Sequence, residues 1–473
     1  MKNVVLIMQD HQLYFDHPAI KRPFFDAFKQ KGTHFVNARS VTPLCCPARR
    51  SILNGMYAHR HGLYNNKVNA PFDEQTYFDV LNANGYEGNN YYFGKWHAGP
   101  GESSDFKCKG FTPPGYSSPY KYPEYDEYLK QRGFDPNPAA RVDIGLSDLN
   151  KYYEGAVVPL KEIRNLFTLS FGELLGDNEE LHECFFLASR ACEQLKKLKE
   201  EGKPFTLRVD FWGPHQPYFP TKKYLDMYSE EDIPLYPSLN DDLKGRPDIY
   251  HSENAVGLGK DNRLIQPTPL SDDQWRKMLR YAYAENTLAD AAAGRIVDKI
   301  FSLGLDKDTL IVWSADHGDA LCSHGGHMDK DAYMSSEVLN IPLALYSPDR
   351  EGGVKDDRPA SNVDIPVTML DALGLKFDDE SVRIGESLLK PTKRDYFVSV
   401  THGHFTPHVA LSVEKDGYRY VKNYDDVSEL YDMTADPYST VNLALNPEYA
   451  GKTEYFEKLL AKWIEDNDFK PYK

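Results

Sequence analysis

NVVLIMQDH, residues 3–11, is an unbroken apolar run that ends in an amide, an acid and an imidazole. Continuous apolar character over so short a segment, rich in β-branched residues, reads as a strand buried on both faces. The same signature recurs in FTLRVDFW (205–212), TLIVWSA (309–315) and DYFVSV (395–400). Long segments of helical period lie between them. One is DDQWRKMLRYAYAENTLADAAAGRIVDKIFSLG, with Gly304 as its C-cap. The alternation predicts an α/β sandwich around a large, mostly parallel sheet flanked by helices. Near the C-terminus the pattern changes. HVALSVEKDGYRYVKNY predicts a hairpin about Asp416-Gly417, and YFEKLLAKWIEDN a closing helix. A main α/β domain over 1–380 and a smaller α+β subdomain with an antiparallel sheet over 381–473 are expected. The stretch 213–270, rich in Pro, Tyr and Asp, reads as long loops over a site.

The residues just after each buried run matter most. The first run delivers Asp10-His11, the second Gly213-Pro214-His215, the third Asp316-His317-Gly318-Asp319. Open α/β sheets bind ligands beyond the carboxyl ends of their strands. One such end can be a turn cap; three together point to a site. Asp10, Asp316 and His317 suit a divalent cation. Carboxylates favour Ca²⁺, Mg²⁺ or Mn²⁺, and an imidazole shifts the balance toward Mn²⁺ or another transition metal. Zinc is disfavoured, because no second His stands at helical ligand spacing.

Composition narrows the partners. The chain has 473 residues, 27% of them charged, and a net charge of −16. That balance argues against nucleic acid or an anionic membrane. No apolar run approaches the ~20 residues of a membrane span, and no signal peptide is visible, so the default expectation is cytoplasmic. The six cysteines show no CxxC spacing, which argues against a disulfide framework and a zinc-thiolate site. An anionic substrate would need local cationic groups, so clusters of Lys, Arg and His become informative.

One such cluster is TPLCCPARRSILNGMYAHRHG, residues 42–62. Pro47 suits the first turn of a helix, which Gly55 ends. Both cysteines then sit at the helix N-terminus, a position that favours anions. Arg49, read in the same turn, can point at the same anion. Position alone leaves a second reading open, in which the cysteines are ordinary buried thiols.

Cys45-x-Pro47-x-Arg49 followed by RSILNG closely resembles the motif of type I sulfatases, the formylglycine-dependent family within the alkaline-phosphatase superfamily. The resemblance extends along the chain, through NVVLIMQD, YYFGKWHAG (91–99), GPHQPYFP (213–220), SADHGDALCSHGGHMDK (314–330) and SELYDMTADPYSTVNLALNPEY (428–449). It implies the superfamily's sandwich fold. It implies that Cys45 is oxidised to formylglycine, by a formylglycine-generating enzyme or an anaerobic sulfatase-maturating enzyme, with Cys46 a packing residue. A hydrated aldehyde has two geminal hydroxyls, one to attack sulfur and one to expel sulfate. By the same resemblance Asp10, Asp316, His317 and the side chain at 45 hold one divalent cation, Ca²⁺ or Mn²⁺. Arg49 fixes the hydrate and the sulfate, Lys95 binds sulfate oxygens, and His97 assists elimination. His215 and Lys330 stand by the leaving oxygen. Trp96 is assigned to packing. Asp319, His324 and His327 are supporting or substrate contacts, and His59, His61, His402 and His404 candidates for lining the pocket.

The chain departs from the family pattern in three places. His11 stands where many members carry a second acid. Asp316-His317 replaces the common Asp-Asn, as in several phosphonate and phosphodiester hydrolases, and Ala48 replaces Ser. The expected activity is hydrolysis of a small organic sulfate ester, a sulfated carbohydrate or an aryl sulfate whose ring the Tyr- and Trp-rich loops stack. The alternatives are a phosphonate monoester or phosphodiester hydrolase with the same machinery, and an unmatured anion-binding protein without catalysis. Besides substrate and maturating enzyme, no nucleic acid or membrane partner is expected, and a homo-oligomer is compatible with the sequence.

Overall fold

The structure is a computed structural model. It describes the chain except residues 15–17, 67–68, 116, 146–153, 167–169, 253–256, 259–263, 266–269, 331, 393, 405 and 472–473. Eight strands form the main sheet: β1 (Asn3–Gln9), β2 (Thr33–Phe35), β3 (Asn90–Gly94), β4 (Lys109–Phe111), β5 (Thr206–Asp210), β6 (Thr309–Ala315), β7 (Leu343–Tyr346) and β8 (Val354–Asp356). Their order is β8-β2-β7-β6-β1-β5-β3-β4. All neighbours are parallel except the two pairs that β7 makes, with β6 and β2. The expected α/β sandwich is thus the one found, with a mostly parallel sheet.

β1 lies at the centre, and its side chains explain its unbroken apolar sequence. Val5 and Ile7 join one core, with Leu187 and Leu288. Val4, Leu6 and Met8 join the other, with Ile52 and Leu53. A strand covered on both faces needs no polar alternation. The first core receives α2 (Glu183–Glu201) and α3 (Asp272–Ser302). Helix α3 opens with a capping box, in which the Ser271 side chain and Gln274 satisfy each other's backbone N–H groups. The second core receives α1 (Cys45–Asn54), all ten of whose residues are buried. No helix among the described residues is long and apolar enough to cross a membrane.

The C-terminal segment builds a separate antiparallel sheet of four strands in sequence order: β9 (Phe397–Gly403), β10 (Pro407–Lys415), β11 (Tyr418–Asn423) and β12 (Glu429–Asp432). The expected hairpin about Asp416-Gly417 joins β10 to β11. α4 (Ala450–Asp466) packs Phe456, Leu460 and Trp463 against this sheet. DYFVSV, similar in sequence to the other apolar runs, belongs here and not to the main sheet, because β9 pairs with β10.

The stretch 213–270 is less open than its composition predicts. It contains the short helical segments Lys222–Leu225, Glu230–Asp232, Pro237–Asn240 and Asp248–Ser252. Residues 253–256, 259–263 and 266–269 of that expectation lie outside the described residues. Tyr218, Tyr224, Tyr228, Tyr236 and Tyr250 are all buried. These rings are packing side chains, not platforms for a substrate ring; aromatic surface is stabilising inside the core, with the hydroxyl hydrogen-bonded where it can be. Tyr218, for example, donates its hydroxyl to Asp319.

Four parallel neighbours, β6, β1, β5 and β3, end at one edge of the sheet. Gln9 is in register with Ala315, so Asp10 and Asp316 leave the sheet side by side. Asp210 is in register with both Met8 and Gly94. Gly94 turns the chain there with φ 110°, and Lys95 N–H bonds the Asp210 carbonyl at 2.9 Å. A Cβ on Gly94 would lie 1.9 Å from that same carbonyl oxygen. Gly94→Ala is therefore expected to destabilise the fold by about 2–4 kcal/mol, from positive φ and backbone overlap together. The midpoint of urea unfolding measures it.

Candidate active site

α1 brings its N-terminus to this edge. The helix begins at Cys45, with Pro47 in the first turn. Asn66 accepts the Cys46 N–H at 3.0 Å, taking one of the amides a helix start leaves free. Pro47 is the third helical residue, inside the first turn as expected, and Arg49, the fifth, falls just beyond that turn. Its guanidinium faces three carboxylates. Nε lies 2.9 Å from Asp316 Oδ2, Nη1 2.8 Å from Asp210 Oδ2, and Nη2 3.2 Å from Asp10 Oδ1. All four side chains are fully buried. Burial opposes the charge on Arg49, but Asp316, Asp10 and Asp210 outweigh it and raise its pKa further.

Lys95 donates to the other Asp10 oxygen, Oδ2. Burial opposes the Asp10 charge, yet Lys95 and Arg49 prevail and hold the carboxyl well below the usual range. Asp316 Oδ1 accepts the N–H groups of His11 and His317, at 3.0 and 2.9 Å. Both acids are thereby held in place by donors in a dry setting. Lys95 and Lys330 are both buried, unlike most lysines, which are solvated at the surface.

The histidines divide by hydrogen bonding. His317 Nδ1 lies 2.8 Å from the Gly318 carbonyl, which only accepts, so Nδ1 carries the proton. Nε2 then presents its lone pair, 3.0 Å from Cys45 Sγ. His215 repeats the arrangement: Nδ1 donates to the Gln216 carbonyl at 2.7 Å, and Nε2 receives Lys330 Nζ at 3.3 Å. Burial, with Lys330 and His11 beside it, pushes the His215 pKa well down. His97 is pushed well down too, by burial and by Lys95 and Arg49. Burial likewise lowers His317, against the pull of Asp316. Lys330 moves the other way. Burial opposes its charge, but Asp329, which accepts from Nζ at 2.9 Å, raises its pKa well above normal. Burial raises the Cys45 thiol, and Lys330 and Lys95 pull against it. The Cys46 thiol is pushed up to about 12, first by burial and then by Cys45.

Asp10, Cys45, Asp316 and His317 each place one donor atom within 4.8 Å of all the others. Two carboxylates, a neutral imidazole lone pair and the side chain at 45 fit a hard or borderline divalent cation. Asp10 Oδ1 has no hydrogen bond and meets only the Arg49 ion pair, which leaves it free to take such a ligand. His11 is not part of this group. Its Nε2 lies between Asp319 Oδ1 at 3.3 Å and Asp329 Oδ1 at 3.4 Å, and its ring meets His215 edge-on at 4.5 Å.

Other sequence candidates fall elsewhere. His324 pairs with Glu337 at 3.1 Å, and His327 stacks on Tyr333. His59 stacks on Tyr57, His61 bonds Ser51, and His402 packs on Tyr64. His404 contacts Asn66 at 3.4 Å, next to the start of α1. Trp96 is fully buried in the second core, a packing residue as expected. None of the six cysteines forms a disulfide. Sequence reasoning passes over Asp210, Arg208 and Asp329. Asp210 closes β5, but in the sequence the apolar run continues past it through Phe211 and Trp212; Asp329 adjoins Lys330 in a segment already singled out.

Comparison with known proteins adds an independent line. The family model described as Sulfatase matches residues 2–375. The ulvan-active sulfatase of Formosa agariphila is 25% identical over 98% of this chain and 82% of its own length. The choline-sulfatase of Rhizobium meliloti is 26% identical over 98% of this chain and 86% of its own. Among solved structures, the phosphonate monoester hydrolase SpPMH from Silicibacter pomeroyi has a TM-score of 0.78 at 19% identity, covering 99% of this chain and 96% of that one. BT4656, solved with its substrate D-glucosamine-2-N,6-O-disulfate, has a TM-score of 0.69 at 19% identity, covering 99% of both chains. At these identities the structural likenesses show the fold.

Asp210 carries no donor toward the candidate cation, yet it answers two buried guanidinium groups, Arg49 and Arg208. Asp210→Ala is expected to cost about 3–5 kcal/mol, as when one partner of a buried ion pair is removed. Chemical denaturation of the purified variant checks it.

Proposed function

The chain belongs to the sulfatase family and is a sulfuric ester hydrolase, and on that premise we propose that the strand-end cluster about Cys45 is its catalytic centre. The observation that carries this reading is the convergence of the Cys45, Asp10, Asp316 and His317 donor atoms in one buried group. Cys45, not Cys46, is the residue converted to formylglycine, by an oxygen-dependent or an anaerobic maturating enzyme. The hydrate of that aldehyde supplies two geminal hydroxyls, one to attack sulfur and one to release sulfate. Asp10, Asp316, His317 and the side chain at 45 hold one divalent cation, Ca²⁺ or Mn²⁺. When bound, the cation polarises a sulfate oxygen and favours the ionised form of the attacking hydroxyl.

The chain's own residues do the remaining work. Arg49 holds Asp10 and Asp316 in place by bridging them. Lys95 stands beside Asp10 and offers its ammonium to the anionic substrate. His97, held neutral by burial and its cationic neighbours, accepts a proton from the releasing hydroxyl. Lys330 stays protonated and faces His215 Nε2, so this pair brings a proton to the departing oxygen. Three cationic side chains, Arg49, Lys95 and Lys330, thus gather in a chain whose net charge is −16. They bring cationic donors to the place where a sulfate would bind, each beside a carboxylate, so the cation that Asp10 and Asp316 would hold supplies the positive excess. The alcohol released is that of a sulfated carbohydrate or an aryl sulfate.

Cys45→Ala is expected to abolish sulfate ester turnover, while Cys46→Ala keeps most of it. Equal loss in both would remove Cys45 from the nucleophile's place. In protein from a host with a maturating enzyme, the peptide containing Cys45 should be lighter by about 18 Da, the thiol-to-aldehyde difference. Aryl sulfate should be turned over in preference to aryl phosphonate; the reverse order would favour a phosphonate hydrolase. Asp316→Ala should lose bound Ca²⁺ and Mn²⁺ by calorimetry while its circular dichroism spectrum is kept.

A further inference from the structure

A second buried polar group lies behind the loop that carries His215. His182, Glu183 and Cys184 open α2, and Glu285 reaches them from the middle of α3; all four are buried. Their contacts point inward, to the loop. Glu183 Oε1 accepts the Gly213 N–H at 2.6 Å. The Gly213 carbonyl accepts the Asp10 N–H at 3.2 Å. Gly213 is therefore tied on one side to Glu183 and on the other to Asp10, two residues before His215. Around Glu183 the remaining donors are arranged. The Cys184 thiol donates to Oε1 at 3.3 Å. The Glu183 N–H meets the Tyr120 hydroxyl at 3.0 Å. His182 Nδ1 caps the helix by accepting the Cys184 N–H at 3.2 Å, which leaves Nε2 protonated toward Glu285 Oε1 at 2.8 Å.

Residue 213 is glycine for the same reason. A Cβ there would lie 2.7 Å from Cys184 Sγ and 3.3 Å from Glu183 Oε1. Backbone and carboxylate approach closer than any side chain allows.

We propose that Glu183 is a positioning residue of the hydrolysis, acting through Gly213 to set where His215 stands against the leaving oxygen. The proposal rests on the reading of His215 and Lys330 as the pair that serves that oxygen. Asp10 is held independently by Arg49 and Lys95, so loss of the anchor falls on the His215 side. The Gly213 N–H bond to Glu183 is short, and removing it leaves that N–H unsatisfied in a dry interior.

The test uses the matured full-length protein and a series of aryl sulfates whose phenols run from strongly to weakly acidic. Acidic phenols leave with little proton assistance and weakly acidic ones need it. Glu183→Ala is expected to lower kcat/KM by on the order of 10²-fold for the weakest acid, the scale of a catalytic group misplaced by an ångström, and by only about threefold for the strongest. Glu183→Gln keeps an acceptor oxygen and should stay within about fivefold of wild type across the series. Gly213→Ala should resemble Glu183→Ala, and adding Cys184→Ala, which removes the nearest clash, should restore about tenfold. Hydrogen exchange at the Gly213 amide should quicken in Glu183→Ala. Equal loss along the whole series, or unchanged exchange at that amide, overturns the proposal. Should the wild type turn over no sulfate ester, the proposed function falls by itself. The same series as aryl phosphonates, with the exchange measurement, then still decides for or against Glu183.

Discussion

The structure turns on Arg49. Its guanidinium touches Asp10, Asp210 and Asp316, which come from three adjacent strand ends. Three buried carboxylates at such spacing would repel one another strongly in a medium that screens poorly. Arg49, Arg208 and Lys95 answer them charge for charge. The pairing locks α1 to the sheet edge and determines that the side chain at 45 meets His317. A lysine in place of Arg49 could not do this, because only a planar fork reaches three acceptors in fixed directions.

Electrostatics around that lock are sorted by burial and partner. Lys330 has a carboxylate of its own, Asp329, and keeps its charge. His97 and His215 lie among cations and lose theirs. The site therefore combines permanent positive charge with neutral imidazoles, two of which, His215 and His317, have their lone pairs directed by backbone carbonyls. Polarity is assigned by hydrogen-bond geometry, not by residue type, which is how one cluster can hold donors and acceptors within a few ångströms.

Much of this is legible in the sequence, and the rest is hidden for identifiable reasons. β1, β5 and β6 are long enough to show as apolar runs, and the residues beyond them stand at the site. β2, β4 and β8 have three residues each, too few to carry a period. DYFVSV looks like the main-sheet strands because Phe397, Val398, Ser399 and Val400 are all buried in its own sheet; burial on both faces does not say which sheet covers them. The sequence points Arg49 at an anion; in the structure its guanidinium faces the acids Asp10, Asp210 and Asp316 instead. Asp210 is masked because the run continues through Phe211 and Trp212, so the acid reads as interior to the strand and Gly213 as its end. The tyrosines of 213–270 mislead for the opposite reason, since composition reports abundance and not direction.

The central place of β1 has a consequence for how the protein is made. β1 precedes both of its partners in the chain, pairing on one side with Thr206–Asp210 and on the other with Thr309–Ala315. Neither edge can be covered until Thr206–Asp210 has been synthesised, and the second core is not complete until Thr309–Ala315 follows. Until then the nascent chain carries a bare apolar segment, the kind of surface that makes incompletely folded chains prone to aggregate. The same delay leaves residue 45, enclosed in the finished fold, open to other enzymes while elongation proceeds.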